Sequence, residues 1–313
     1  MRADLHVHTH HSTVNRTLPF LRSRDCYSRP FNVYLTAKSR GMDLVAITDH
    51  DSINGALELL EQLPDSRDVI VGEEVTCWFP DTSIEVHLGV YGMTEALHRD
   101  VQPLRKNVFE AAALLRDAGV FFSLNHLFHF YRGQTPLANY LRVLDIVPAL
   151  EARNGAMLRS QNELIERIVA EFVPSSGMRL GVVAGSDAHT LRRVGRTWTE
   201  APGRNREEFL ESLRRGLGRP MGNHGGATVI SGDAYGVIGR YAASLAGWGP
   251  RDHRGWHRAA CLVAVAASIP VQFFPIVVAA AGKIAERRET GRVRRALRPG
   301  AAPSAFSVTE KHT

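Results

Sequence analysis

The chain has 313 residues, 44% of them hydrophobic, which is enough to bury a barrel-sized core and leave an appendage. Its three cysteines have no paired spacing, so neither a disulfide framework nor a thiolate zinc finger is indicated. Seven basic residues and two glutamates in residues 283–298 supply five of the six net positive charges. The rest of the chain is nearly neutral, which argues against extended nucleic-acid binding.

Short apolar runs alternate with helical patterns along the first two thirds of the chain. The predicted strands are residues 3–8, 43–48, 69–76, 84–91, 120–125, 146–151 and 180–184. The predicted helices are residues 33–40, 53–63, 104–118, 158–172 and 206–216. This alternation predicts parallel pairing and an α/β fold, for which a near-closed barrel of about seven units is the simplest closure. In such barrels, function lies on the loops at the carboxyl ends of the strands.

The character of the chain changes after Gly225, so residues 1–225 are the predicted barrel domain. Residues 226–258 are interpreted as a linker with an amphipathic helix at 235–245, and residues 283–313 as a basic, partly disordered tail. Residues 259–282 carry no charge and have basic flanks. This pattern is typical of a membrane anchor or re-entrant hairpin, the alternative being a helix packed on protein.

Nothing before Asp4 resembles a signal peptide, because the first predicted strand begins almost at the initiator. We therefore expect a cytoplasmic protein. Attachment to the inner face of the membrane would follow if the uncharged segment is an anchor.

Histidines and carboxylates recur where the apolar runs end. His6 and His8 alternate along the first predicted strand, so both face the same side and could bind one metal ion. The second run ends in Asp49, His50 and Asp51. His50 is the candidate ligand, Asp49 would orient it or bind substrate, and a helix cap explains Asp51 equally well.

The later strands continue this series. Glu74, rather than Glu73, is the candidate carboxylate of the third strand and could bridge two ions. His87 and His126 have a competing interpretation, because a lone histidine on an apolar strand is usually a hydrogen-bonded core residue. The seventh run ends with the same alternate spacing as the first. The ordered set predicts a multi-metal hydrolytic centre with the candidate ligands His6, His8, His50, Glu74, His87, His126, Asp187 and His189.

Residues 12–30 form a stretch that is too long for an ordinary connection between a strand and a helix. Its arginines would suit an anionic substrate, and the alternative is a solvated surface loop. The candidate substrate-binding residues are Arg22 and Arg24 in this stretch and Asn154 after the sixth strand.

Six motifs follow one another between residues 4 and 190: D-L-H-V-H-T, I-T-D-H-D-S, V-G-E-E-V, V-H-L-G-V, L-N-H and G-S-D-A-H-T. Through them, the chain resembles the polymerase and histidinol phosphatase (PHP) superfamily of metal-dependent phosphoesterases over about residues 1–200. The resemblance implies a distorted seven-stranded β/α barrel with two or three divalent ions, for which zinc, manganese and iron are all compatible. It also implies ligand sets: His6, His8, Glu74 and Asp187 for the first ion; Glu74, His87 and His126 for the second; His50 and His189 for the third.

Two positions depart from the pattern of the superfamily. The third site usually has a further aspartate or histidine shortly after His8, whereas residues 12–15 contain no carboxylate. His10, His11 and Asp25 are the candidates to replace it. The usual His-Pro after the fifth strand is here His126-Leu127.

The resemblance implies hydrolysis of a phosphomonoester, of a small metabolite or nucleotide, by a metal-bridging hydroxide. Asp187, His50 and His189 are the candidate catalytic residues: Asp187 would accept the proton of the water, and a histidine would assist the leaving alkoxide. The expected partner is a small phosphorylated substrate or a short nucleotide.

Three other functions remain open at this point. A 5′–3′ exoribonuclease or a 3′,5′-nucleotide bisphosphate phosphatase would use the same centre. Amide hydrolysis of the amidohydrolase type is disfavoured, because no lysine stands at the predicted strand ends. A non-catalytic, membrane-tethered scaffold with a degenerate barrel is the alternative that is not an enzyme.

Overall fold

The computed structural model describes residues 1–12, 19–82, 84–128, 137–171, 180–248, 253–268 and 274–296. All seven predicted strands are present in it, and two more follow them. The strands are β1 Arg2–Asp4, β2 Leu44–Ile47, β3 Val69–Trp78, β4 Glu85–Tyr91, β5 Phe121–Leu124, β6 Ala149–Asn154, β7 Gly181–Gly185, β8 Thr197–Glu200 and β9 Arg219–Gly222. They form one sheet in the order β7-β6-β5-β4-β3-β2-β1-β8-β9.

Among the seven predicted strands, the expectation of parallel pairing is wrong for two of the six pairs, because β4 runs antiparallel to both β3 and β5. The additional strand β8 also runs antiparallel to its neighbours β1 and β9. Only residues 79–84 connect β3 to β4. A parallel connection needs a crossover of about a dozen residues or more, so this short link permits only a hairpin. The fold class is nevertheless α/β, with a nearly closed, barrel-like sheet.

The barrel closes where the chain leaves β1 and β7. Val7 and Ala188 form a parallel bridge, in which the His8 amide donates to the Ala188 carbonyl at 3.1 Å. This approach requires a glycine at position 185, because a Cβ there would lie 2.2 Å from the Cβ of His6. The ends of the first and last barrel strands are thereby brought together.

Ten α-helices surround the sheet in the described residues. They are α1 Pro30–Ser39, α2 Asn54–Gln62, α3 Glu95–Val101, α4 Val108–Asp117, α5 Leu137–Leu144, α6 Arg159–Glu171, α7 Arg206–Arg214, α8 Ala227–Leu245, α9 Gly255–Ala267 and α10 Phe274–Ala296. Local sequence explains several beginnings: Pro30 occupies the first turn of α1, and the side chains of Thr94, Asn107 and Asn205 cap α3, α4 and α7. The sequence did not predict α3 and α5, and α8 begins earlier than expected.

The C-terminal helices pack on the barrel. α10 lies against α6 and α8, and two of its carboxylates are buried there. Glu286 accepts a hydrogen bond from Gln161 of α6 at 3.1 Å, and Glu289 accepts one from Tyr140 of α5 at 3.2 Å. Residues 283–296, placed by the sequence in a basic tail, are thus part of a packed helix; residues 297–313 lie outside the described residues.

The uncharged segment 259–282 falls on α9, on α10 and on residues 269–273, which lie outside the described residues. Where the structure describes the chain, no helix is both long enough and apolar enough to cross a bilayer. Val263, Ile276 and Val277 of this segment are 68%, 50% and 51% exposed. Its interpretation as a membrane anchor or re-entrant hairpin stays a prediction.

Phe209 of α7 is the main anchor of this helix on the sheet. Its side chain is completely buried in a cluster with Leu44 of β2, Ile70 of β3 and Tyr91 of β4. Phe20, by contrast, is 53% exposed. These two phenylalanines therefore provide a matched pair for measuring how much the core contributes.

We expect Phe209→Ala to lower the free energy of unfolding by about 3–5 kcal/mol, since it removes buried apolar area and leaves a cavity. Phe20→Ala should cost less than about 1 kcal/mol. Urea denaturation followed by circular dichroism measures both values. Equal losses would contradict the placement of α7 on the sheet.

Candidate metal centre

The predicted ligands converge at one rim of the barrel: six of them follow a strand, and two lie within the antiparallel pair of β3 and β4. His6 and His8 follow β1, His50 follows β2, and His126 follows β5. Glu74 and His87 face each other from β3 and β4, in the antiparallel pair. Asp187 and His189 follow β7. The bridge between Val7 and Ala188, which closes the barrel, also brings Asp187 and His189 to the histidines that follow β1.

The centre is organised around the carboxylate of Glu74, which is completely buried. Its Oε2 lies close to three imidazoles: His6 Nε2 at 3.0 Å, His50 Nδ1 at 3.2 Å and His8 Nε2 at 3.4 Å. Its Oε1 lies close to two more and to an amide: His126 Nε2 at 2.9 Å, Asn125 Nδ2 at 3.0 Å and His87 Nδ1 at 3.2 Å. Burial alone would raise the pKa of Glu74, but the imidazoles hold it well below its usual range.

Asp187 and Asp25 stand at the other side of the histidines. Asp187 Oδ1 is 3.6 Å from the Nε2 atoms of both His6 and His8, and also 3.6 Å from Nδ1 of His189. Asp25 Oδ2 is 3.7 Å from His50 Nε2 and 3.8 Å from His189 Nε2. Both carboxylates therefore border the imidazole cluster.

Within this centre, three of the groups whose ligand atoms lie within 4.8 Å of one another are His6, His8 and Asp187; His6, Glu74 and His126; and His8, Asp25, His50 and His189. The last group answers a question that the sequence left open. His10 and His11 instead face Glu58, at 3.4 and 2.6 Å, so of the three candidates Asp25 is the one beside His50 and His189.

The donor atoms fit divalent metal ions. Nε2 of His8 is buried without a hydrogen-bond partner among the described residues. Burial, with the imidazole of His189, lowers the pKa of His8 to about 4, so at neutral pH this ring is uncharged and its nitrogen lone pair can bind a cation. Imidazole nitrogens mixed with carboxylate oxygens suit zinc, manganese and iron.

A second set of side chains orients the imidazoles. Glu151 of β6 lies 2.9 Å from Nδ1 of His6, Ser12 lies 3.0 Å from Nδ1 of His8, and Glu85 lies 2.9 Å from Nε2 of His87. Such contacts fix the ring orientation and the tautomer of ligating histidines. Glu151 was not among the predicted site residues, although it ends the sixth predicted strand, as other predicted site residues end theirs, and this position was a usable signal.

Backbone conformation also marks two of the predicted ligands. His126 and Asp187 have φ angles of 27° and 51°, in the left-handed region that is uncommon for residues other than glycine. The His126 amide donates to Glu151 at 2.9 Å. Residues in such conformations persist where their surroundings fix them, and they cluster at functional sites.

Three polar residues have structural contacts that differ from their expected ones. Asn154, predicted to bind substrate, is completely buried; its amide donates to Glu151 at 2.8 Å and to Asp187 at 3.2 Å, so it positions carboxylates. Asp49 accepts hydrogen bonds from the amide and hydroxyl of Thr9 instead of contacting His50. Asp51 accepts from the Thr76 amide at 2.8 Å and pairs with Arg105, so it does not cap α2 through its side chain.

Glu73 and Glu74 separate to opposite faces of β3. Glu73 lies 2.7 Å from Nδ1 of His98 and accepts a hydrogen bond from Gln102 at 2.9 Å, away from the histidine cluster. The two neighbouring carboxylates therefore have different surroundings. This makes Glu73 a useful control for substitutions at the centre.

A cavity of about 490 Å³ opens onto the centre. Its polar wall includes His50, Glu74, His126, Asp187 and His189, together with Arg24 and Asp25. The first turns and middle of α8 supply the opposite wall with Ile230, Asp233, Ala234, Val237, Ile238 and Tyr241. Of the two arginines predicted to bind substrate, Arg24 lines this cavity, whereas Arg22 is exposed and is not among the lining residues.

Comparison with known proteins gives matches to two parts of the sequence. Residues 175–217 match a family model described as PHP-associated. Over 76 residues, the chain is 36% identical to an uncharacterized protein of Methanocaldococcus jannaschii; this alignment covers 24% of the chain and 44% of that relative, less than half of its length.

Three solved structures are similar to this chain. PsfC from Pseudomonas syringae is 15% identical with a TM-score of 0.48, covering 76% of this chain and 98% of that one. A Bifidobacterium adolescentis protein, provisionally named a metal-dependent phosphoesterase, is 18% identical with a TM-score of 0.45, covering 69% and 95%. An amidohydrolase from Chromobacterium violaceum with bound sulfate is 16% identical with a TM-score of 0.42, covering 62% and 89%.

The chain thus contains a PHP-associated segment, in agreement with the resemblance inferred from its motifs. Its histidine and carboxylate clusters are consistent with a metal centre.

We expect Glu151→Gln to weaken metal binding about 10–100-fold, because the neutral amide no longer polarises and orients His6. Glu73→Gln, a matched change on the other face of β3, should leave metal affinity unchanged. Competition with a chromophoric chelator measures both affinities. An equal loss in the two variants would show that Glu151 does not act through the centre.

Proposed function

We propose that the protein is a metal-dependent phosphomonoesterase acting on a small phosphorylated metabolite or nucleotide. The observation that carries this proposal is the arrangement around Glu74. Both of its oxygens face imidazoles, five in all, and the cluster borders a cavity large enough for a small substrate. A carboxylate placed in this way is suited to bridge two cations.

The proposed ligand sets follow the groups that the fold brings together. The first ion would be held by His6, His8, Glu74 and Asp187, and the second by Glu74, His87 and His126. His50, His189 and Asp25 would hold a third ion. Asp25 thereby takes the place for which the sequence offered no carboxylate in residues 12–15.

When bound, divalent ions would supply a hydroxide nucleophile near neutral pH and would withdraw charge from the phosphoryl oxygens. Asp187 can accept a proton at the edge of the cavity, and Asn154 holds its other oxygen in place. His50 and His189 both line the cavity, so either ring, where it holds no ion, can pass a proton to the leaving oxygen. Arg24 can offset the negative charge of the phosphoryl group.

The two walls of the cavity favour a substrate with two different ends. The phosphoryl group would face the metal centre and Arg24. The organic part would lie against the apolar side chains of α8, among them Ile230, Val237 and Ile238. A 3′,5′-nucleotide bisphosphate or the 5′ end of a short RNA fits the same centre, and an enzyme assay against both distinguishes them from simple monoesters.

The central test combines metal analysis with an activity panel of phosphomonoesters, nucleotide bisphosphates and short RNA. We expect the purified protein to contain divalent metal and to hydrolyse a monoester, with activity lost on chelation and restored by metal. Asp187→Asn should lower kcat/KM at least about 100-fold, because a ligand and proton acceptor is removed. Asp117→Asn, an exposed change at the end of α4, is the control.

A protein that binds no metal and hydrolyses no member of the panel would contradict the proposal and favour a scaffold. Hydrolysis confined to bisphosphates or RNA would keep the metal centre but replace the substrate. An Asp187→Asn variant with full activity would remove Asp187 from the proposed machinery.

The pair Arg24 and Arg22 tests the cavity itself. We expect Arg24→Gln to raise KM about tenfold or more, since a charged hydrogen bond to the phosphate is worth about 1.5–3 kcal/mol. Arg22→Gln, two residues away but exposed, should leave KM unchanged. Steady-state kinetics on the best panel substrate gives both values; the reverse result would mean that the substrate lies on the outer side of this segment.

A further inference from the structure

A second cavity lies on the other side of the beginning of α8. Its volume is about 630 Å³, and its lining is dominated by positive side chains: Arg153, Arg159, Arg192, Arg193 and Arg196, with His224 among them. The start of α8 separates it from the metal centre, because Val229 lines this cavity whereas Ile230 and Asp233 line the other. None of these arginines belongs to the proposed catalytic machinery.

Two helices begin at the edge of this cavity. Leu158, just before α6, forms a parallel bridge with Gly225, just before α8, and the Gly225 amide donates to the Met157 carbonyl at 2.7 Å. Arg159 and Val229, in the first turns of these helices, both line the cavity. Two helix N-termini therefore add partial positive charge to the arginines.

The arginines are only partly balanced by acidic groups. Arg159 lies 3.9 Å from Glu163, one turn further along α6. Arg153 pairs with Glu166 at 2.9 Å, but its Nε is buried and has no hydrogen-bond partner among the described residues. Arg193 lies 3.4 Å from Asp233 and donates to the Ser186 carbonyl at 3.0 Å. Within the described part of the chain, neither Arg192 nor Arg196 has a carboxylate at ion-pair distance. The cavity thus has an excess of positive charge.

The positive charge affects the pKa of a neighbouring histidine, His224. Burial lowers the pKa of His224, and the guanidinium groups of Arg153 and Arg159 lower it further. Its Nδ1 lies 2.9 Å from the Asn162 amide nitrogen, which keeps the imidazole at the cavity wall. An uncharged ring there leaves the positive charge to the guanidinium groups.

We propose that this cavity is a binding site for a multiply charged phosphate-type anion, distinct from the metal centre. Guanidinium groups bind phosphate oxygens through paired hydrogen bonds, and several arginines around one cavity can contact one anion from different sides. A cavity of about 630 Å³ suits a compact anion and not an extended polymer.

Inorganic pyrophosphate is the probe, because it is compact and carries several charges. Its binding to the full-length protein, dialysed free of divalent ions, is measured by isothermal titration calorimetry at low and moderate ionic strength. We expect one pyrophosphate per chain, bound more weakly as salt is added. Arg196→Gln, an exposed change that the fold should tolerate, and Arg153→Gln should each weaken binding at least about tenfold.

Two charge-matched controls locate the bound anion. Arg215→Gln, at the exposed end of α7, tests for nonspecific attraction, and Arg24→Gln tests for binding in the catalytic cavity. Both variants should bind pyrophosphate as the unaltered chain does. The proposal is overturned if pyrophosphate does not bind, if Arg215→Gln weakens binding as much as Arg196→Gln, or if only Arg24→Gln weakens it. Because neither metal nor turnover is needed, failure here leaves the proposed phosphoesterase untouched.

Discussion

The constraint on which this structure depends is the burial of one carboxylate, that of Glu74. Removing a carboxylate from water costs several kcal/mol even after the protein relaxes, so an isolated charge at this depth would not persist. Here the compensation comes from imidazoles on the strands and loops around it, together with the Asn125 amide. No short stretch of chain can provide this set. The charge can be buried only when β1 to β5 are assembled with their ends at one rim, and the same donors, when they release protons, are ligands for cations.

The closure of the barrel is needed to assemble the same site. Gly185 lets the chain after β7 approach His6 more closely than any side chain would permit, and the bridge between Val7 and Ala188 follows directly. That approach brings Asp187 to the histidines of β1. Glu151 and Asn154 then fill the space beneath with hydrogen bonds that hold His6 and Asp187. The contact that closes the barrel therefore also completes the site.

The sequence predicted the strands and most of the centre because these signals are local. An apolar run that ends in alternating histidines defines both a strand and the face on which its ligands lie, as for His6 and His8. Alternation alone does not give the direction of β4, but the predicted strands 69–76 and 84–91 leave only residues 77–83 between them. That link is too short for a crossover, so its length was a usable signal for the antiparallel pair. Asp25 was one of three equal candidates, because its approach to His50 is decided by the path of a long segment. Arg22 and Arg24 show the same limit: both belong to one stretch, yet Arg22 is exposed whereas Arg24 lines the cavity.

The start of α8 contributes to cavities of the barrel, although the sequence analysis placed residues 1–225 and 226–258 in separate regions. Gly225 marks a change in composition, yet the chain on both sides of it contributes to the same two cavities. One side of α8 presents apolar residues and Asp233 to the metal centre, and its first turn borders the arginine cavity. Arg193 joins them, because it contacts Asp233 on α8 and the carbonyl of Ser186, the residue before Asp187. The walls of the two cavities are therefore in direct contact through this one side chain.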